Sequence, residues 1–315
     1  MKKNDAPNFF SPLLASCKLC HRRCGINRLA GEIGFCRAGI LPRLALASLH
    51  YWEEPCISGS RGSGTVFFSR CNLACVYCQN HSISQEDQGI DVSVERLAEI
   101  FLELQQQGAH NLNLVTPTPY VPQIIAALSI ARSSGLRIPA IYNTSSYETQ
   151  DAVDALRGWI DIYLPDLKYC SDALAVRYSA APGYFAHALQ SIQTMSDQVG
   201  ACRFDPDGLL QRGVLIRHLA LPGHAADSRA VLDALRLHFG DSVWFSLMGQ
   251  YTPQTGNAAF PELQRSLAEK EYSDLIDHAL SLGLENGFVQ EEGSASAQFI
   301  PAFNFKGVIA EGELP

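Results

Sequence analysis

Cys71, Cys75 and Cys78 are spaced C-x3-C-x2-C inside the stretch from Phe68 to Asn80. Cysteine thiolates hold iron–sulfur clusters, and a cubane of four irons ordinarily takes four of them. Three leave one iron open to a ligand that is not protein. The same triple also fits a structural zinc site or three unrelated thiols, because CxxC is a common zinc half-site. Its asymmetry, and its place directly after the apolar segment Thr65 to Ser69, favour the cluster.

A second set lies upstream, where Cys17, Cys20, Cys24 and Cys36 form C-x2-C-x3-C-x11-C, with His21 inside and Gly25, Gly31 and Gly34 to allow tight turns. Four thiolates saturate one metal site, and both a structural zinc and an auxiliary [4Fe-4S] cluster fit. Cys56, Cys170 and Cys202 stand singly and are expected to be buried structural thiols. Cys170, two residues past Lys168, is the one nearest to candidate chemistry.

The elements that must position these residues alternate between strand and helix. Val94, Leu97, Ile100, Phe101 and Leu104 repeat at helical spacing up to Gly108, and Asn111 to Val115 reads as a strand. Tyr120 to Ser134 is helical and Ile138 to Tyr142 extended; a helix near Glu148 to Arg157 leads to the strand Ile160 to Leu164. Two helices flank Pro182, and Val214 to Leu219 and Val243 to Met248 are strands separated by a helix around Asp227 to Phe239. With Thr65 to Ser69, six strands result. Such alternation implies right-handed crossovers and a parallel sheet. The fold expected is α/β, a partial (β/α)6 TIM-type barrel over 61–290. A Cys-rich extension over 1–60 precedes it, and a tail over 291–315 follows. In such barrels chemistry sits at the C-terminal ends of the strands.

The strand ends there are polar. The second carries Thr116-Pro117-Thr118-Pro119, the third Asn143-Thr144-Ser145-Ser146-Tyr147-Glu148, the fourth Asp166-Leu167-Lys168, the fifth Arg217-His218 and the sixth Gln250-Tyr251. Alternation puts Asp166 and Lys168 on one side, and turns His218 to the helices if Arg217 faces the barrel. Asn143 to Ser146 also read as N-cap residues for the following helix, with at least one serving so, and the proline-rich segment as a plain turn. A salt bridge is the structural alternative for Asp166 and Lys168.

The cysteine run, with Tyr77 before its third cysteine, resembles the signature loop of the radical S-adenosylmethionine (SAM) superfamily. With the strand ends and Trp52-Glu53-Glu54-Pro55, the chain from Cys17 to Gln290 resembles the PflX-like relatives of pyruvate formate-lyase activating enzyme. The resemblance implies a [4Fe-4S] cluster on Cys71, Cys75 and Cys78 whose open iron binds SAM. Electron transfer then gives a 5′-deoxyadenosyl radical. It further implies cofactor contacts from Tyr77, and from Asn143, Thr144 and Ser145 to ribose and carboxylate; the glycine-glycine-glutamate motif with which the family often holds the SAM amino group is absent, and the Thr116 or Pro117 carbonyl or the Thr118 hydroxyl is expected to accept those bonds instead. Asp166 is implied beside a monovalent cation, Lys168 at the SAM carboxylate, Arg217 at cofactor or substrate, and Gln250 or Tyr251 near the adenine. The family favours glycine where Arg70 and Ser146 stand and histidine where Pro119 stands; because positive φ is costly for a non-glycine residue, these departures leave the conformation of those loops open.

The function expected is hydrogen abstraction, from a glycine of a partner polypeptide as in glycyl-radical activases, or in modification of a peptide or small molecule. A reduced flavodoxin- or ferredoxin-type protein is the expected electron donor. A non-enzymatic iron–sulfur carrier or redox sensor leaves the polar strand ends unexplained. The 315 residues suit one barrel, and a net charge of −8 argues against nucleic acid, no basic run exceeding His21-Arg22-Arg23. The first residues lack an apolar leader and no segment reaches about 18 apolar residues. Ten cysteines in a large chain without secretory features predict a reducing, cytoplasmic setting and no membrane.

Overall fold

The computed structural model describes residues 11–253, 259–290 and 301–309. The first ten residues, on which the reading of the N-terminus rests, and most of the proposed tail lie outside them.

Among the described residues the sheet has ten strands: β1 (Arg43–His50), β2 (Ser63–Phe68), β3 (Ile90–Asp91), β4 (Leu112–Val115), β5 (Ala140–Thr144), β6 (Ile162–Pro165), β7 (Arg203–Phe204), β8 (Leu210–Leu219), β9 (Trp244–Met248) and β10 (Gly287–Val289). Its order is β10-β9-β8-β6-β5-β4-β2-β1-β3, with β7 paired to β8 and the two ends unjoined. From β2 to β10 along that order every pairing is parallel. Crossover helices such as Val94–Gln106, Val121–Ser133 and Ala225–Phe239 run between the parallel strands. Burial on both faces explains why β2 and β4 are buried along their whole length.

Five of the six helix-linked strands lie within two residues of where the sequence placed them, and the sixth, β8, begins at Leu210, four residues before the Val214 expected. A seventh parallel strand, β10, joins the edge beside β9. At three residues it is too short to carry a pattern. The antiparallel β1 also joins the sheet, paired with β2 through residues 44–50 and 63–68. The helix expected near Glu148 begins only at Gln150 and ends at Ala155. Residues 147–149 are diverted into backbone bonds with the N-terminal extension: His21 N–H donates to Tyr147 O, and Thr149 N–H to Leu19 O. The N-cap is therefore Thr149, whose hydroxyl donates to Lys18 O, and none of Asn143 to Ser146 caps the helix. Among the described residues no helix is long and apolar enough to cross a membrane.

Candidate functional site

At the C-terminal ends of the parallel strands a cavity of about 280 Å³ opens, lined by the Cys71, Cys75 and Cys78 side. Opposite stand Thr116, Asn143, Thr144 and Ser145, then Asp166, Lys168, Arg217 and Gln250, with Tyr77 against the thiols. Residues from six separate segments thus share one hollow.

Each thiol meets a donor suited to a thiolate. Leu73 N–H donates to Cys71 Sγ at 3.4 Å, Ser179 Oγ lies 3.0 Å from Cys75 Sγ, and Ser84 Oγ lies 3.4 Å from Cys78 Sγ. Burial pushes the Cys75 thiol up to about 11, although Lys168 pulls the other way, and burial with the neighbouring Cys75 pushes Cys71 up as well. Without a metal these groups stay protonated at neutral pH; metal cations reverse that balance. The three thiols line one cavity of about 280 Å³, which leaves room beside them for a further ligand. The donor set therefore fits a cluster held from one side.

Lys168 Nζ donates to Asp166 Oδ2 at 2.5 Å. Burial alone would lower the Lys168 pKa, but the Asp166 carboxylate and Cys75 outweigh it and hold the ammonium well above its usual range. The two side chains share the cavity as expected, although β6 ends at Pro165 and both stand on the loop beyond it rather than on alternate strand positions. Tyr77 reaches Tyr169 through its hydroxyl at 2.5 Å, and Tyr169 reaches Ser179 at 2.8 Å, so the aromatic before the third cysteine is anchored to the Cys75 neighbourhood. Gln250 lines the cavity and pairs with Gln290, whereas Tyr251 turns away and donates to Leu263 O.

Arg217 lines the cavity but is already engaged. Its Nε donates to Glu54 Oε1 at 3.0 Å, and its Nη2 to both Glu53 and Glu54. Glu53, together with His50 and Trp52, also lines the cavity, a wall that the sequence reading did not assign. The acidic pair after β1 was the signal; its partner lies over 160 residues away. His218 faces the helices as expected, between Leu167 O at 2.8 Å and Ser228 Oγ at 2.9 Å.

Thr118 departs from its expected role. Its hydroxyl donates to Glu148 Oε1 at 2.5 Å, and the residue lines a different, smaller cavity. The 3-10 turn Thr118–Tyr120 swings it behind the strand end, and Thr116, in the left-handed region at φ 60°, faces the main cavity instead. Arg70 (φ 71°) and Ser146 (φ 63°) adopt the conformation that glycine favours. Arg70 is secured by Asp87, its Nε donating to Oδ1 at 2.6 Å. Cys56 is buried as expected, but Cys170 and Cys202 are only half-buried, and Cys170 lies off the main cavity.

The smaller cavity, of about 10 Å³, is lined by Cys17, Cys20, Cys24 and Cys36 together. Gly34 makes room for one of them: a Cβ there would stand 2.7 Å from Cys24 Sγ. Burial pushes the Cys20 thiol up to about 12 and raises Cys36 too.

Residues 65–202 match the family model of the Radical SAM superfamily. Over 295 residues the chain is 28% identical to an uncharacterised protein of Methanocaldococcus jannaschii, covering 90% of this chain and 79% of that one. Among solved structures it is similar to a domain of pyruvate-formate lyase-activating enzyme from Bacteroides vulgatus (TM-score 0.39, 13% identity, 54% of this chain and 93% of that one). It is also similar to the FeFe-hydrogenase maturase HydG from Carboxydothermus hydrogenoformans (0.47, 13%, 70% and 50%) and to methylornithine synthase (0.47, 14%, 71% and 72%). The chain thus spans half the length of the HydG structure.

Proposed function

We propose, from the premise that residues 65–202 of this chain are a radical SAM domain, that the protein is an enzyme cleaving SAM reductively for hydrogen-atom abstraction, with a glycine of a partner polypeptide as the hydrogen donor. The observation that carries this reading is the single cavity shared by three cysteine thiols and the Asp166–Lys168 pair. When bound, a [4Fe-4S] cluster on Cys71, Cys75 and Cys78 supplies the electron that breaks a sulfur–carbon bond of SAM.

The chain's own groups do the binding and orienting. Lys168, held cationic, offers its ammonium to the SAM carboxylate. Asp166, bonded to Lys168 through Oδ2, offers carboxylate oxygen to a monovalent cation. Thr116, Asn143, Thr144 and Ser145, which line the cavity, offer carbonyl, amide and hydroxyl groups to the amino and ribose portions, and Gln250, on the same lining, offers its amide to an adenine edge. Arg217, neutralised by Glu53 and Glu54, acts by fixing the cavity wall rather than as a free cation.

The Asp166-Leu167-Lys168 triplet supports the activase reading over modification of a free small molecule. Cys17, Cys20, Cys24 and Cys36 are a second thiolate-held metal centre, for which zinc and a second [4Fe-4S] cluster are the candidates, and a reduced flavodoxin or ferredoxin is the electron source. The ten cysteines, none in a disulfide, support a cytoplasmic setting.

The test is anaerobic: reconstitute with iron and sulfide, reduce with dithionite, add SAM and quantify 5′-deoxyadenosine. Formation by the wild type and its loss in Cys75→Ala is the expected result. Continued cleavage by Cys75→Ala would sink the assignment. A glycyl-radical EPR doublet on a candidate partner polypeptide would establish the activase role, and its absence alongside a modified peptide product would favour peptide modification.

A further inference from the structure

We infer that Cys17, Cys20, Cys24 and Cys36 hold a second iron–sulfur cluster that is the electron entry port of this protein, and that the basic face over it docks an acidic one-electron donor protein, a role that rests on the radical SAM reading of the main cavity. The four thiols line one small cavity together with Leu19 and Phe35.

Arg22 adds an independent sign of a missing anion. Its Nε donates to Asn72 O at 2.9 Å and its Nη1 to Ala180 O at 2.5 Å, but its buried Nη2 has no partner. The guanidinium lines this cavity and lies 3.6 Å from the Phe35 ring. A buried, unpaired cationic donor is costly unless an acceptor completes it. Four thiolates with their inorganic sulfides form an anionic centre that provides both the acceptor and the countercharge.

The location fits electron transfer. Asn72 lines the same small cavity, and its Oδ1 lies 3.7 Å from Cys71 Sγ, so one residue separates this site from the main thiol set. Between Cys17 and Arg43 the chain, whose net charge is −8, carries six basic residues (Lys18, Arg22, Arg23, Arg28, Arg37 and Arg43) against one acid, Glu32; Arg28 is buried and Arg43 is paired with Asp87 and Asp91, so the outward charge rests on the others. Lys18, Arg23 and Arg37 are exposed, beside exposed Ile33 and Phe35 and the exposed thiol of Cys24. An acidic partner is drawn to this face and repelled by the rest of the molecule, which orients its approach. The donor, a reduced flavin or iron–sulfur protein, loses one electron; the N-terminal cluster gains it and passes it inward, with no bond made or broken.

The full chain, reconstituted anaerobically, tests this by metal content and by stopped-flow reduction with a reduced acidic flavodoxin. About eight irons per chain are expected in the wild type and about four in Cys17→Ser/Cys20→Ser, with Mössbauer spectra distinguishing the two centres. Lys18→Glu/Arg23→Glu, with its thiols intact, should keep the full iron content. Its reduction by flavodoxin at low salt should be slower by roughly tenfold, with dithionite-driven 5′-deoxyadenosine formation unchanged. About four irons with one tightly bound zinc in the wild type would overturn the cluster, and flavodoxin rates equal in all three proteins would overturn the entry port. A wild type with about eight irons that makes no 5′-deoxyadenosine under dithionite would instead remove the SAM-cleavage reading and with it the relay's purpose, leaving the second cluster established.

Discussion

Glu148 is fully buried with Oε1 accepting the Thr118 and Thr144 hydroxyls and Oε2 unpartnered. Burial raises its pKa above the ordinary 4.5, against the pull of those two hydroxyls. Such a carboxyl binds its proton more tightly folded than unfolded. Stability therefore falls as pH rises from the unfolded value towards the folded one, and stays reduced above it. Glu148→Gln keeps an oxygen for the two hydroxyls and cannot ionise, so its apo-chain Tm is expected to fall less than wild type between pH 5 and pH 8. Parallel curves would refute an ionising Glu148. Ser146 concentrates two local costs, a left-handed φ of 63° and a buried hydroxyl without a partner. Ser146→Gly should stabilise the apo chain by about 1 kcal/mol in urea unfolding, the strain relieved exceeding the added chain entropy. The left-handed backbone at Arg70 and Ser146 was left open by the sequence, since neither residue type signals it and only the family resemblance pointed to those positions. The placement of Thr118 was not legible either, because a short 3-10 turn decides which cavity its hydroxyl meets.

At the scale of elements, β8 and the segment after β1 belong to distant parts of the sheet order, yet Arg217 joins Glu53 and Glu54 across the hollow between them. Burial would raise the Glu54 pKa, but Arg217 more than offsets it and keeps the carboxyl charged. Arg217→Met would leave two neighbouring carboxylates buried without their cation, a loss on the order of 3–5 kcal/mol in apo-chain denaturation. Adding Glu54→Gln should recover part of that loss, and strict additivity of the two changes would argue that they do not interact. The parallel strands were readable because each has its own apolar run and a following helix. β1 was missed, since an antiparallel strand ahead of the barrel has no helix to announce it, and β10 is only three residues long.

Over the whole molecule, regular structure is uneven: between Cys17 and Pro42 the only element is the 3-10 turn Arg28–Ala30. Metal bound by cysteines there adds its binding free energy to the folded state. Removing iron is expected to lower the Tm and expose residues 17–42 to proteolysis before the barrel, as limited digestion followed by mass mapping would show; simultaneous loss of both regions would mean that the extension is held by packing alone. The sequence by itself determined the chemistry available, since the spacing of Cys71, Cys75 and Cys78 and the Asp166-Leu167-Lys168 triplet are local, covalent facts. It also determined the alternation of strands and helices, because hydrophobic periodicity is local. Only the tertiary structure decided that Arg217 is paired, that Gln250 rather than Tyr251 faces the cavity, and that Asn72 lies between the two sets of thiols. Those outcomes depend on how strands far apart in the chain curve around a common hollow, and no spacing within one segment encodes that.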